Sequence, residues 1–340
     1  MFRLLGVFTT VLCAIAAAVL TWPSFFRVER IFPIAQIVSF RGLMMLAMAA
    51  VVVLALLLTL IRPLRAFALS IAMVMLLAAG ANGVILLSRG IGSDSLPAKT
   101  DDSIRVMTWN TAGSATTSSQ EVAQIAVAMD ADIVTLPETT IETGEQVAIA
   151  MRDLGHPMWA YHTEYGEGGW DASSTTLLIS PDLGDYSVIE SSSDGSSNTS
   201  TVPSAVAMPI DGSGPIVVAA HAVAPRQSYM ERWSTDLQWL ADQCADADVI
   251  LSGDFNATVD HMARLGVDGG TLGRCRDAAS ETGNGSVGTW TTAIPALLGA
   301  PIDHVMTSDS WNATGSIVLH SLDGSGSDHR PLIVQLEPAH

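Results

Sequence analysis

Three stretches of this 340-residue chain, Leu4–Trp22, Leu43–Ile61 and Ala66–Ser88, contain no charged side chain. Each approaches the roughly 20 apolar residues that a helix needs to cross the hydrocarbon core of a bilayer. Nothing constrains the fold more, because a backbone in lipid must satisfy its own hydrogen bonds and so must be helical here. Residues 1–89 are therefore read as a membrane anchor of three transmembrane helices, at about 4–22, 43–61 and 66–88. Ile31–Phe40 is apolar but too short to span, and is expected to be an interfacial extension of the second helix. Residues 1–22 also suit a signal peptide, but two further spans follow and no small-residue cleavage site stands out.

Charge divides the chain in two. Of 34 acidic residues only Glu29 and Asp94 precede residue 101, whereas half of the 16 basic residues do. The part beyond residue 100 thus carries 8 basic against 32 acidic residues, a formal net charge of −24, and it has no lysine. Such a surface repels polyanions, since nucleic-acid binding draws on phosphate neutralisation. A nucleic-acid partner is disfavoured, and no obligate protein partner is evident. The arginines flanking the spans are close to balanced, Arg3, Arg62 and Arg65 against Arg27, Arg30, Arg41 and Arg89, with a slight lean toward a cytoplasmic C-terminal domain. The acidic, Ser/Thr/Gly-rich composition points the other way. Cys244 and Cys275 are the only cysteines outside the first span. They are either a disulfide, implying an oxidising compartment, or two unpaired core residues. The domain is placed on the extracytoplasmic face of the cell membrane.

Gly90–Ser103 is polar and rich in Gly, Ser and Asp, and reads as a linker. Beyond it, strand-like runs at Ile104–Trp109, Asp132–Leu136, Thr175–Ile179, Tyr186–Ile189, Val202–Met208, Ile216–Ala220, Val249–Ser252, Ile317–Leu319 and Pro331–Leu336 alternate with helical patterns. The helices are Ser119–Met129, with Ser119 as N-cap, Ile141–Leu154 and Arg226–Gln243. Trp159–Ser173 reads as an aromatic, Gly-rich loop, Ser191–Thr201 as a low-complexity loop, and 257–300 as mostly irregular. Strands and helices in this number predict one α/β (α+β) domain over 104–337 built on stacked sheets.

Polar residues cluster at the strand ends. Asn110, Glu138, His221 and the Asp254/Asn256 pair each follow a strand, Asp303 begins one, and Asp328–His329 precedes one. In Val249–Asn256, Asp254 and Asn256 face the same side of an extended chain. A carboxylate and a carboxamide meeting there suit holding and deprotonating a water or orienting a phosphate oxygen. Oxygen donors without a Cys or multiple-His set favour a hard cation, Mg²⁺ or Mn²⁺. Singly, each residue has a plain structural explanation: a turn residue at Asn110, a helix N-terminal charge at Glu138, a hydrogen-bonded core imidazole at His221, a strand-edge charge at Asp303, a turn cap at Asp328. His304 is read only as a neighbour. Trp170, Trp290 and Ile294–Leu298 are read as packing or as a wall for a lipid-like substrate.

In order, the segments Met107-Thr108-Trp109-Asn110, Leu136-Pro137-Glu138, His221, Gly253-Asp254-Phe255-Asn256, Ile302-Asp303-His304 and Gly326-Ser327-Asp328-His329-Arg330-Pro331 resemble the endonuclease/exonuclease/phosphatase superfamily. That group includes DNase I-like nucleases, inositol-polyphosphate phosphatases and neutral sphingomyelinases. The resemblance covers about 103–337 and implies a four-layer α/β/β/α sandwich. By position it implies that Glu138 binds metal with Asn110 and Asp328 in support, and that Asp254 activates water. Asn256 would orient that water or the phosphate, and His329, paired with Asp303, would stabilise the phosphoryl charge. His221 would contact another phosphate oxygen or the leaving group, leaving Asn110, His221 and Asn256 as the substrate-binding set. Joined to three spans, the domain is similar to membrane-bound actinobacterial members of the teicoplanin-resistance type. That likeness implies a polyprenyl (pyro)phosphate or another cell-envelope phosphoester, lipid-linked or small, as substrate. The other readings are a membrane-tethered extracellular nuclease and a non-enzymatic anchored binding module.

Overall fold

A computed structural model of the chain describes residues 2–93, 95–112, 117–166, 171–189, 191–192, 196–245 and 248–339. The N-terminal region forms α1 (Phe2–Thr21), α2 (Ile34–Ser39), α3 (Arg41–Leu58) and α4 (Arg65–Arg89). Of these, α1, α3 and α4 are long and apolar enough to cross a membrane. They touch through a small cluster, Ala17, Met44, Met48 and Ala78, where small and pliable side chains let the backbones approach. Their larger side chains, such as Leu4, Val53, Leu57 and Leu76, face outward.

The structure corrects the expectation for 31–40. The chain breaks at Phe40, and α2 is a separate helix rather than an extension of α3. Its Ala35 and Val38 are fully buried, and Ala35 joins the core of the C-terminal domain. Six residues cannot span a bilayer, but one apolar face against a protein core stabilises them.

That domain contains two six-stranded sheets. The first orders β11 (Trp311–Val318), β12 (Leu332–Pro338), β1 (Ile104–Thr108), β2 (Ile133–Pro137), β4 (Ser174–Ile179) and β3 (Trp159–Glu164). The second orders β5 (Tyr186–Val188), β6 (Ala205–Pro209), β7 (Ile216–His221), β8 (Val249–Asp254), β10 (Asp303–Thr307) and β9 (Arg276–Asp277). Each sheet has one parallel pair, β1 with β2 and β7 with β8, and the others are antiparallel. Helices α5 (Ser119–Ala128) and α6 (Ile141–Asp153) cover the first sheet, while α7 (Met230–Gln243) and α8 (Val259–Met262) cover the second. Helix α9 (Ala278–Glu281) contributes Ala278 and Ala279 to the core between the sheets.

Central strands are buried on both faces, so they are continuous apolar runs. Val106, Ile133, Leu177, Val217, Ala219 and Ile250 point between the sheets. Their neighbours Met107, Val134 and Leu178 meet α5 and α6, and Val218, Ala220, Val249 and Leu251 meet α7. This is the four-layer α/β/β/α sandwich expected. Two local expectations differ. Trp159–Glu164 is the edge strand β3, because it pairs residue for residue with β4. Ser118, not Ser119, caps α5, accepting from the Glu121 N–H at 3.2 Å. Trp170 lies outside the described residues.

Described residues of segment 90–103 lie against the domain. Gly92 N–H donates to the Gly283 carbonyl at 3.0 Å, and Gly285 and Ser286 donate to the carbonyls of Arg89 and Gly90. Lys99 pairs with Asp132 at 2.8 Å. Anchor and domain also meet at one buried carboxylate. Asp260 of α8 receives Arg41 through Nε and Nη2, both at 2.7 Å, and Arg89 through Nη1 at 2.8 Å and Nη2 at 2.7 Å. Gly42 follows at the start of α3; a Cβ there would stand 1.8 Å from the Leu297 carbonyl oxygen, so only glycine allows this approach.

Candidate active site

The inward-facing parity of the central strands carries through to their ends. On β8, Ile250 and Ser252 point between the sheets, and Asp254 is next in that series. On β7 the series Val217, Ala219 reaches His221, on β1 Ile104, Val106 reaches Asn110 beyond the strand end, and on β10 Val305 reaches back to Asp303. The register aligns Asp254 with both His221 and Asp303. Thr135 Oγ1 and Ser252 Oγ, 2.9 Å apart, bridge the two sheets just below this rim. The polar residues are therefore the terminal layer of the inter-sheet core, buried there by geometry.

Local backbone aims them. Gly253 lies against β7, where a Cβ would stand 2.0 Å from the Ala220 carbonyl oxygen. Glu138 and Asn256 have φ of 55° and 47°, a conformation uncommon for residues other than glycine and frequent at functional turns. The turn at Asn256 brings its N–H to Asp254 Oδ1 at 2.8 Å and its Nδ2 to Asp254 Oδ2 at 3.2 Å. Buried Trp233 Nε1 holds the Asn256 carbonyl, and Trp109 Nε1 holds that of His329 at 3.0 Å. Ser327 Oγ donates to the Asn110 carbonyl and accepts from the His329 N–H, tying the first and last strand ends together.

Asn110 crosses between the sheets: its Nδ2 donates to Glu138 Oε1 and Asp254 Oδ2, each at 3.1 Å. His329 Nδ1 is 2.8 Å from Asp303 Oδ2, and its Nε2 is 3.9 Å from Asp254 Oδ2. His221 Nε2 lies 4.0 Å from Glu138 Oε1. Asn110, Glu138, His221, Asp254, Asn256, Asp303 and His329 thus come together. Asp328 is at the rim, 54% exposed, with Oδ1 3.9 Å from His329 Nε2 and Oδ2 accepting from Trp290 Nε1 at 2.8 Å. His304 is a structural neighbour, buried and held between Asp277 at 3.0 Å and the Ala257 carbonyl at 2.8 Å.

Electrostatics set distinct protonation states. Burial, then the adjacent Asp303 charge, pushes the Asp254 carboxyl up to about 7. Burial opposes charge on His329 too, but Asp303, Asp254 and Asp328 outweigh it and raise the imidazolium to about 10. Burial and the charged His329 hold His221 down to about 3, leaving it neutral. The site combines a carboxylate that changes charge near neutrality, a fixed cation and a neutral imidazole. That combination can take a proton from water while stabilising anionic oxygens.

A divalent cation fits the donor chemistry. Asp254, Asp303 and His329 offer ligand atoms within 4.8 Å of one another, and Asp303 Oδ1 is buried without a hydrogen-bond partner. Around Asn110, carboxylate oxygens of Glu138 and Asp254 converge from opposite sheets, and Glu138 is 30% exposed, open to entering ions. Oxygen-rich sets of this kind suit hard cations.

Sequence reasoning missed the residues that act at a distance. Arg330 is fully buried and forks onto Asp323 and the carbonyls of Gly288, Thr291 and Ile294, fixing the loop that carries Trp290. Its place in Ser-Asp-His-Arg-Pro was visible, but the three carbonyls it holds are 36 to 42 residues away. Trp290 was read as packing or a substrate wall without its bond to Asp328, and the Arg41–Asp260–Arg89 cluster left no local signal.

Residues 107–329 match the model of the Endonuclease/Exonuclease/phosphatase family. Among solved structures, an endonuclease/exonuclease/phosphatase from Beutenbergia cavernae matches with TM-score 0.53 at 18% identity, covering 70% of this chain and 72% of that one. Humanized D. rerio TDP2 carrying 14 mutations matches with TM-score 0.53 at 14% identity, covering 70% of this chain and 100% of that one. A family protein from Leptotrichia buccalis gives TM-score 0.53 at 12% identity, over 69% and 99%. At these identities the likeness establishes the fold. No match was found among curated proteins.

Proposed function

The chain belongs to the endonuclease/exonuclease/phosphatase family, and from that premise we propose a membrane-anchored, divalent-metal-dependent phosphoesterase acting on a cell-envelope phosphoester, a polyprenyl (pyro)phosphate or phospholipid-like ester. The observation that carries the chemistry is the Asp303–His329 pair beside Asp254, buried at one rim of the sandwich. Hydrolysis of a phosphoester needs an oriented water and neutralised oxygens more than a covalent intermediate. Asp254, whose Oδ2 accepts from Asn110 and Asn256 and lies 3.9 Å from His329 Nε2, takes the proton of the attacking water. Asn256, anchored by its Nδ2 to the Ala222 carbonyl at 2.9 Å, keeps Asp254 and that water aligned. His329 Nε2 donates to a phosphoryl oxygen, its charge maintained through Nδ1 by Asp303. His221, neutral, offers one ring nitrogen to a second oxygen or to the leaving group.

Glu138 and Asn110 form the oxygen set that would hold Mg²⁺ or Mn²⁺, which when bound would supply charge neutralisation at the phosphoryl group. The Asp254–Asp303–His329 set suits a cation less well, because Asp303 holds His329 as an imidazolium whose Nε2 proton would have to leave. Asp328, at the rim with Oδ1 3.9 Å from His329 Nε2, would support the ion at Glu138 from the solvent side.

The membrane substrate is supported by how the site is mounted. The Asp260 cluster and α2 fix the domain on the anchor, so its rim stays at the membrane face. An acidic domain surface disfavours nucleic acid. The Cys244–Cys275 disulfide, Cα–Cα 5.5 Å, supports an oxidising, extracytoplasmic location. Arg41 and Arg89 have a structural partner in Asp260, so their side of the membrane has a reason apart from topology. The test is hydrolysis by full-length protein in detergent with Mg²⁺, comparing undecaprenyl pyrophosphate, a phosphodiester lipid and plasmid DNA. Phosphate release from a lipid ester, lost in Asp254→Ala and His329→Ala, supports the reading. Cleavage of DNA with inert lipids makes this a tethered nuclease instead.

A further inference from the structure

Between α1, α2 and α3 lies a groove of about 600 Å³, lined by Ala16, Leu20, Met44, Ala47 and Val51 among others, with Gln36 the one carboxamide in an otherwise apolar wall. Its size is that of a small-molecule pocket, roughly 300–1,000 Å³. Val51 follows Arg41 by ten residues, which is about 15 Å of helix, so the groove runs through about half of a ~30 Å hydrocarbon core. It starts at the end of the anchor held by Asp260 and therefore occupies the leaflet beneath the domain.

At that end the groove wall adjoins the active-site rim. Phe40, a wall residue, packs on Trp290 with ring centroids 5.7 Å apart. Trp290 Nε1 donates to Asp328 Oδ2 at 2.8 Å, and Asp328 Oδ1 is 3.9 Å from His329 Nε2. On the other side Gln36 Nε2 donates to the Pro225 carbonyl, four residues beyond His221. Two side chains separate the apolar wall from the His329 imidazole.

Resting on the phosphoesterase reading, we propose that this groove seats the hydrocarbon tail of the phosphoester, so that the substrate is a long-chain lipid phosphate drawn from the domain-side leaflet. The route matters electrostatically. A free anion approaching through water meets a domain of net charge −24, with 32 acidic and 8 basic residues. A lipid phosphate entering sideways bypasses that surface, and a seated tail raises the effective concentration of its headgroup at the rim. A water-soluble phosphoester gains nothing from an apolar wall in the membrane. The lining of small residues leaves width for a flexible chain, and the domain bound above leaves the rim end as the polar exit for a headgroup.

The test uses full-length protein in phosphatidylcholine nanodiscs, with Ala47→Trp and Ala16→Trp. Both alanines face the open groove rather than a helix contact, so either variant fills the groove without overpacking the bundle. Hydrolysis of a polyprenyl monophosphate is compared with that of water-soluble bis-p-nitrophenyl phosphate. In parallel, a polyprenyl phosphate with a tail diazirine is photo-crosslinked and its adducts mapped. The expected result is a fall in kcat/KM on the long-chain substrate of about tenfold or more, through KM, equivalent to losing roughly two buried methylenes. The soluble ester is hydrolysed unchanged, and labelling of α1 and α3 is competed by unlabelled polyprenyl phosphate. Equal long-chain activity in both tryptophan variants overturns the proposal. Labelling that a diazirine phosphatidylcholine reproduces without competition also overturns it, since bulk lipid then fills the groove. So does a crosslink between two copies through it. If wild-type protein releases phosphate from no ester, the phosphoesterase reading fails, while competed labelling still decides the groove.

Discussion

Replacing Asp303 by Asn keeps the shape of the site and removes one charge. In the parent, Asp303 Oδ2 lies 2.8 Å from His329 Nδ1 and is the main cause of an imidazolium raised to about 10. Two unit charges whose centres are about 4 Å apart interact by about 4 kcal/mol at an effective dielectric of about 20. At 1.36 kcal/mol per pKa unit, losing that attraction brings His329 from about 10 to about 7. The same change relieves Asp254, whose carboxyl is pushed up to about 7 by burial and by Asp303. Activity needs Asp254 ionised and His329 protonated, so the parent rises through about 7 and declines through about 10. In Asp303→Asn the whole bell moves to acid: at pH 8.5 the protonated fraction of His329 falls about 30-fold, and kcat/KM with it. The assay is a pH–rate profile of the full-length protein, paired with an NMR titration of 15N-labelled imidazoles. An alkaline limb that stays near its parent position, or His329 titrating unchanged, would refute the ion-pair argument.

Three more outcomes follow from the geometry. Glu138→Gln raises the Mg²⁺ concentration for half-maximal activity, by at least the 10–100-fold typical of groups that merely support a metal ligand, with activity returning at high Mg²⁺; a metal titration of the rate checks it. Asp260→Ala leaves Arg41 and Arg89 buried without their partner and destabilises the docked state by about 3–5 kcal/mol, read as a fall in Tm in detergent. Asp260 is held below the usual carboxylate range, by Arg89 and Arg41 against the opposing effect of burial; its contribution is complete above an unfolded pKa of about 3.9 and is lost as pH drops through the folded value, so an acid melt series shows that loss in the parent only. Reducing the Cys244–Cys275 bridge, which closes a 31-residue separation, lowers stability by roughly 3–4 kcal/mol, measured by denaturant unfolding with and without reductant.

What the sequence determined by itself is periodicity and local chemistry. Uncharged runs of bilayer length specify α1, α3 and α4, because no water-soluble packing can bury their whole circumference. Central strands were legible as apolar runs, and the site's groups as polar residues at their ends, although Asn256 meets Asp254 through a turn at φ 47° rather than by strand alternation. Edge strand β3 was not legible: Trp159–Glu164 is half exposed and takes its structure from pairing with β4. Helix α2 was misread for the same reason, as Ala35 is apolar for the core of the C-terminal domain and Val38 is buried beside it in the same helix. Only the tertiary structure decided how the halves meet. The bonds from Arg41 and Arg89 to Asp260 join residues 219 and 171 positions apart, and that from Trp290 to Asp328 joins residues 38 apart. Such contacts depend on where the folded chain returns, which no local pattern encodes, and they bring Trp290 at the rim of the site against Phe40 of the apolar groove.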